Sequence, residues 1–159
     1  MSGHALPPVV TLKVSGRSGS ASRTDIAAAS HALVIDEPLA LGGGDAGPTP
    51  VQTLLAAWLG CLNVMLHRIA DARGIVLGPL ALQAEASLLT AGVQLAEQVP
   101  LPLRRIELAL SAPALQDVEQ RAALLEDLHR YCPISTLLRS AGVQIVEGWT
   151  ERGPAAGLS

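Results

Sequence analysis

Two cysteines are the side chains of this 159-residue chain best suited to redox chemistry. Cys61 lies within the apolar stretch 48-PTPVQTLLAAWLGCLNVMLHR-68, and Cys132 lies within 131-YCPIS-135. A cysteine can act as a nucleophile, but it is also a small apolar residue that packs well in a core. Taken alone, Cys61 is better interpreted as a buried structural thiol, whereas the sequence leaves both interpretations open for Cys132.

The surroundings of the two thiols differ. Proline suits the first position of a helix, so Pro133 places Cys132 at the N-cap. A thiolate there would meet unpaired backbone N–H groups and the positive end of the helix dipole. Cys61 is predicted in the middle of a helix, where neither end of that helix helps it. Its activation would need a cation from elsewhere, and Arg17 and Arg23 in the N-terminal hairpin are the candidates.

The sequence gives little support for a metal site, a serine hydrolase triad or a nucleotide-binding loop. The chain has no Cys-x-x-Cys pair and its histidines are scattered, which argues against a zinc site. We expect these histidines at a surface or interface: His4, His31, His67 and His129. No Ser-His-Asp motif, phosphate loop or dinucleotide fingerprint is recognisable, and 42-GGGD-45 lacks the required spacing. The sequence therefore predicts neither a cofactor nor a metal.

Composition narrows the class of protein. A net charge of −3 provides no broad basic field, which argues against nucleic acid as a partner. The N-terminus, MSGHALPPVV, lacks the basic and apolar segments of a signal peptide. The longest apolar run, Leu54–Leu66, is interrupted by Asn63 and is too short to span a bilayer. We therefore expect a cytoplasmic protein without a membrane partner, where paired thiols are more often redox-active than structural.

The elements that position the cysteines are predicted in the order βββ-α-ββ-α-α-β. Strands are expected at 9–16, 23–29, 31–36, 80–89, 103–110 and 143–149, and helices at 50–73, 114–131 and 132–142, with a turn at 15–23 and loops at 37–50 and 90–102. Clustered strands and separate helices indicate an α+β fold rather than a parallel sheet. The length fits a single domain, residues 1–159, with a frayed tail from about residue 150.

The long helix carries clear boundary signals. Thr49 and Gln52 form a capping box around Pro50, and Gly74 follows the last helical residue. From Leu54 to Leu66 the helix surface is apolar nearly all round, which is more than a chain of this size can cover. We therefore expect a partner subunit, with Trp58 as a packing residue near the thiol.

The stretch 41-LGGGDAGPTPVQTLLAAWLGCL-62, combined with 131-YCPIS-135, resembles the OsmC/Ohr superfamily of osmotically inducible and organic hydroperoxide resistance proteins. The similarity extends to 22-SRTDI-26 and 31-HALVIDEP-38, so it covers most of the chain. It implies an OsmC-like fold, in which antiparallel sheets pack on a long central helix. It also implies an intertwined homodimer whose active sites lie at the subunit interface.

The resemblance further implies a thiol peroxidase that acts on organic hydroperoxides or hydrogen peroxide. Cys61 would be oxidised to a sulfenic acid, Cys132 would resolve it as a disulfide, and an external dithiol would reduce that disulfide. An arginine from the N-terminal strands would activate the thiolate. The stretch 16-GRSG-19 matches this role with Arg17, and 22-SRTDI-26 matches it with Arg23, which we prefer.

One position departs from the family pattern. Organic hydroperoxide resistance proteins carry a glutamate directly after the proline that begins the long helix, and this chain has Val51 there. The next residue, Gln52, cannot carry charge. The missing glutamate favours an alternative, a catalytically weak dimer that binds a hydrophobic small molecule or acts as a redox sensor. The two cysteines favour the enzyme.

Overall fold

The computed structural model describes residues 8–151. Its elements are β1 (Val14–Ser18), β2 (Thr24–Ala28), β3 (His31–Ile35), α1 (Pro50–Arg73), β4 (Ala81–Leu88), β5 (Leu103–Ser111), α2 (Val118–Tyr131), α3 (Pro133–Ser140) and β6 (Gln144–Trp149). This order confirms the predicted α+β class. The described residues fall into two compact units, 8–54 and 55–151. The single domain stays a prediction, and the tail expected to fray lies almost wholly outside the described residues.

The first unit contains the antiparallel sheet β1-β2-β3. Arg17, expected in a turn, lies instead in β1 and faces Asp25 of β2 across the ladder. The strand continues this far because the turn closes later. The backbone N–H of Gly19 donates to the carbonyl of Arg23 at 2.9 Å, and the Arg23 N–H donates to the Ser20 hydroxyl at 3.0 Å.

A buried carboxylate organises the glycine-rich loop after β3. Asp36 accepts hydrogen bonds from the backbone N–H groups of Glu37, Gly44 and Ala46, at 2.8, 3.1 and 3.2 Å. A β-carbon on Gly43 would lie 1.8 Å from the carbonyl oxygen of Glu37, so only glycine fits there. The loop, which was expected to lack regular structure, also contains one 3₁₀ turn at Leu39–Leu41.

Helix α1 begins and ends as predicted. The Gln52 N–H donates to the Thr49 hydroxyl at 3.3 Å, and the Thr49 N–H donates to the Gln52 side-chain oxygen at 2.9 Å. Gly74 ends the helix with a φ of 67°. The buried face of α1 comprises Trp58, Leu62, Leu66, Ile69 and Ala70.

Helix α1 has 24 residues and contains an 18-residue window with a mean hydropathy of 1.4, so by length and composition it could cross a bilayer. This corrects the expectation based on the shorter run Leu54–Leu66. Length and composition are weak evidence for a membrane span, because core helices of soluble proteins meet the same test.

The second unit contains the sheet β4-β5-β6. Strands β4 and β5 are antiparallel, but β5 and β6 are parallel, which corrects the expectation of purely antiparallel sheets. The reason is the connection, since α2 and α3 carry the chain back before β6 begins, as a parallel pair requires. The buried residues of β5, α2 and α3 include Ile106, Leu108, Leu110, Leu124, Leu128 and Leu138.

Cys132 lies at the junction of α2 and α3. Asp117 caps α2, accepting from the N–H groups of Glu119 and Gln120, so α2 begins later than the predicted residue 114. Cys132 ends α2 through its N–H bond to the Leu128 carbonyl, and it is also the N-cap of α3. Pro133 occupies the first turn of α3, which confirms the predicted position of Cys132.

Candidate functional site

The two cysteines, far apart in sequence, meet in the second unit. The Sγ atoms of Cys61 and Cys132 lie 3.5 Å apart, and both thiols are free. Cys132 is fully buried, whereas Cys61 is half-buried and so is the thiol that solvent or a small molecule can reach. A disulfide needs an S–S distance of about 2.05 Å, so the two sulfur atoms must approach by only about 1.5 Å.

A second contact joins the same two helices. The indole N–H of Trp58 donates to the hydroxyl of Ser135 at 2.9 Å, and both side chains are inaccessible to solvent. Trp58 precedes Cys61 by three residues on α1, and Ser135 follows Cys132 by three residues in α3. From the sequence, Trp58 was predicted only as a packing residue, and Ser135 was not predicted. The equal spacing from the two cysteines was the one available signal.

The pKa of Cys61 is raised above its ordinary value in this chain. Burial is the largest cause, followed by the hydrogen bond with Cys132, and both favour the protonated thiol. The backbone N–H of Ile134, in the first turn of α3, acts in the opposite direction. The expectation concerned the two ends of α1, whereas the effect of Ile134 comes from the first turn of a different helix, α3.

The two candidate arginines belong to the first unit. Arg23 forms an ion pair with Asp25, with its Nη2 and Nε atoms 2.6 and 2.9 Å from one carboxylate oxygen. The side chain of Arg17 makes no hydrogen bond or ion pair with the residues that the structure describes. The activating roles of Arg17 and Arg23 stay predictions.

The first turn of α1 supplies no carboxylate. Val51 is half-buried there. The side-chain oxygen of Gln52 is already engaged by the backbone N–H of Thr49, so Gln52 serves the cap. The departure from the family pattern at Val51 is therefore not compensated by its neighbour.

Of the four histidines considered in the sequence, two have polar contacts in the structure. His67 lies within hydrogen-bond distance of the carbonyl oxygens of Asn63 and Gly78. His129 pairs with Glu147, whose other oxygen is 3.1 Å from Arg139. His31 is exposed on β3, and His4 lies outside the described residues. Within residues 8–151, no group of three or more His, Cys, Asp or Glu side chains could hold a metal ion.

Comparison with known proteins gives one consistent result. The family model described as OsmC-like protein matches residues 42–147. No curated protein matches the chain in sequence.

Several solved structures share its fold. An OsmC-like protein from Mycoplasma pneumoniae is 16% identical, with a TM-score of 0.76 over 89% of this chain and 97% of that one. An organic hydroperoxide resistance protein from Legionella pneumophila is 19% identical, with a TM-score of 0.69 over 91% and 99%. The organic hydroperoxide resistance protein OhrB of Bacillus subtilis is 22% identical, with a TM-score of 0.65 over 89% and 98%.

Proposed function

Because the chain belongs to the OsmC-like family, we propose that it is a cysteine-based thiol peroxidase that reduces organic hydroperoxides. The observation that supports this most directly is the 3.5 Å separation of the Cys61 and Cys132 sulfur atoms. Two solved proteins of the same fold are named for organic hydroperoxide resistance, which supports the same class of substrate. The reaction would take place in the cytoplasm, where external dithiols are available.

The catalytic cycle needs three balanced steps. The Cys61 thiolate attacks the distal oxygen of the hydroperoxide, the O–O bond breaks, and the alkoxide leaves as an alcohol after taking up a proton. Cys61 is then a sulfenic acid. The Cys132 thiol attacks this sulfur, the disulfide forms, and water is released. An external dithiol reduces the disulfide and is itself oxidised.

The first step needs a source of thiolate, since burial and Cys132 raise the pKa of Cys61. The N-terminus of α3 contributes through the Ile134 N–H, and we propose that Arg17 or Arg23 supplies the remaining positive charge. Arg23 already has a counter-ion in Asp25, which supports Arg17 over the sequence-based preference for Arg23. Comparing the rates at which Arg17→Met and Arg23→Met consume cumene hydroperoxide would distinguish the two arginines.

A homodimer fits the burial within each unit. Among residues 8–54 only Asp36 is buried, and exposed apolar side chains of this segment include Val14, Leu33, Leu39, Leu41 and Leu54. The middle of α1 also exposes Val64. We propose that a second copy of the chain covers these side chains. Sedimentation equilibrium should give twice the mass of 16.4 kDa, and a monomer at micromolar concentration would contradict this.

The test of the activity is the consumption of cumene hydroperoxide and of hydrogen peroxide by pre-reduced protein, followed by stopped flow. Cys61→Ser should abolish consumption. Cys132→Ser should consume about one equivalent per subunit and then stop with dithiol absent. A wild-type rate no greater than that of free cysteine would refute the enzyme.

A second candidate function is a catalytically weak dimer that binds a hydrophobic small molecule or senses redox state. Val51 in place of a glutamate and the raised pKa of Cys61 favour it. The same experiment separates the two, because this candidate predicts slow consumption together with a disulfide that still forms under mild oxidants.

A further inference from the structure

We propose that Trp58 and Ser135 are positioning residues that hold Cys61 and Cys132 in register for disulfide formation. The part of this inference that concerns hydroperoxides rests on the proposed function. The part that concerns the disulfide does not, since thiols can be oxidised by other disulfides.

The geometry consists of two bridges between α1 and the start of α3. One is the contact between the two sulfur atoms at 3.5 Å, and the other is the hydrogen bond from Trp58 to Ser135 at 2.9 Å. Residues three apart lie on one face of a helix, so Trp58 and Cys61 face the same side of α1, about 4.5 Å apart along the axis. One point of contact would allow α3 to slide or rotate. Two points fix its register.

Because the hydrogen bond between Trp58 and Ser135 is buried, a shift of α3 that breaks it is costly. Both side chains are fully buried, and the indole N–H can only donate a hydrogen bond and cannot accept one. If α3 moved by a residue, this N–H would lose its acceptor away from water, at a cost that an apolar contact would not impose. A leucine at either position could fill the space, but it would not penalise a shift of α3, because an apolar side chain has no hydrogen bond to lose.

Register matters because the Cys61 sulfenic acid has two fates. Attack by Cys132 forms the disulfide and releases water. Attack by the Cys61 sulfenate on a second hydroperoxide forms a sulfinic acid and releases an alcohol, which is irreversible without a dedicated reductase. A looser α3 lowers the rate of the first fate and leaves the second unchanged, so the fraction of Cys61 that becomes sulfinic acid should rise.

The first arm of the test avoids peroxide altogether. The reduced protein is equilibrated in buffers of reduced and oxidised glutathione, and the effective concentration of the Cys61–Cys132 pair is measured by mass spectrometry. Ser135→Ala and Trp58→Phe should each lower it about tenfold, which corresponds to the loss of one buried hydrogen bond. The double variant should fall no further than either single variant. Values within twofold of wild type would overturn the proposal.

Two matched controls exclude a general effect. Ser140→Ala makes the same chemical change at an exposed position of α3 and should leave the effective concentration unchanged. Leu124→Ala destabilises the buried core of α2 but leaves the bridge in place, so the folded variant should also match wild type. If Leu124→Ala lowers the effective concentration as much as Ser135→Ala, the bridge has no positioning role.

The second arm uses cumene hydroperoxide and measures the sulfinic acid at Cys61 per turnover, which should rise in Ser135→Ala and not in Ser140→Ala. An unchanged sulfinic fraction in Ser135→Ala would refute the role in the peroxide reaction. If wild-type protein consumes no hydroperoxide, the proposed function fails, and the glutathione arm still decides whether the bridge sets the register.

Discussion

Forming the Cys61–Cys132 disulfide should stabilise the folded protein strongly. The bond would join residues 71 positions apart, and the sulfur atoms already lie 3.5 Å from each other. The chain-entropy relation gives about −15 cal/mol/K for a loop of this size, or about 4.4 kcal/mol at 25 °C. The native state needs little movement to accept the bond, so little of this gain should be lost to strain. Single domains are stable by about 5–15 kcal/mol, so oxidation would change the total substantially.

The assay is urea unfolding of the oxidised and reduced protein, followed by tryptophan fluorescence. With a slope of about 2 kcal/mol/M, a gain of about 4.4 kcal/mol raises the midpoint by about 2 M. Cys61→Ser and Cys132→Ser, treated with the same oxidant, should show no such shift. All samples must have one protein concentration, because assembly also changes apparent stability.

An oxidised protein no more stable than the reduced one would refute the reasoning, since the fold would then have to distort to accept the bond. A thermodynamic cycle adds a second check. A gain of about 4.4 kcal/mol requires the effective concentration of the two thiols to be about 10³-fold higher in the folded chain than in the unfolded chain. Glutathione titrations with and without urea measure that ratio directly.

Three further predictions concern packing, pH and the thiol. Leu62→Ala should lower the free energy of unfolding by about 2–5 kcal/mol, whereas Val76→Ala, at a side chain 78% exposed, should change it by less than about 0.5 kcal/mol; equal effects in urea unfolding would contradict the assigned core. The pKa of Asp36 is lowered mainly by the Ser22 hydroxyl, and backbone N–H groups also lower it, while burial acts in the opposite direction. The ionised Asp36 therefore stabilises the fold above its unfolded pKa of about 3.9, and this contribution is lost as pH falls through the lower folded pKa. Asp36→Asn should therefore lower the melting temperature at pH 7 by more than at pH 2, and a difference independent of pH would argue against this role. Burial is the largest cause of the raised pKa of Cys61 and persists in Cys132→Ala, but the second largest cause, the hydrogen bond with Cys132, is removed. Alkylation of Cys61 by iodoacetamide should therefore begin at lower pH in Cys132→Ala than in wild type. A shift to higher pH would exclude the hydrogen bond as a cause of the raised pKa.

The boundaries of α1 and the start of α3 were predictable because each carries its own chemical marker. The Thr49–Gln52 capping box, Gly74 with its positive φ and Pro133 after Cys132 act through bonds within a few residues. The start of α2 was missed although Asp117 marks it locally, and the other boundaries that failed depend on residues outside the element itself. Strand β1 extends past Arg17 because the bond between Gly19 and Arg23 closes the turn beyond residue 18, and the direction of β6 depends on the path of two intervening helices.

The candidate site was predictable only in part for the same reason. No local pattern brings Cys61 to Cys132, and their pairing was expected from the family resemblance alone. The bond between Trp58 and Ser135 spans 77 residues, so apart from the equal spacing from the two cysteines it has no signature in either segment. The effect of Ile134 on Cys61 likewise comes from a helix that begins far along the chain.

The scarcity of buried side chains in the first unit has a consequence for hydrogen exchange. Asp36 is the one buried residue among 8–54, so β1-β2-β3 has little apolar burial of its own to resist local opening. Its backbone amides should exchange with deuterium much faster than those of β5, where Ile106, Leu108 and Leu110 are buried. If a second copy covers the first sheet, its protection should rise with protein concentration, while that of β5 stays constant. Deuterium uptake would then report assembly strand by strand.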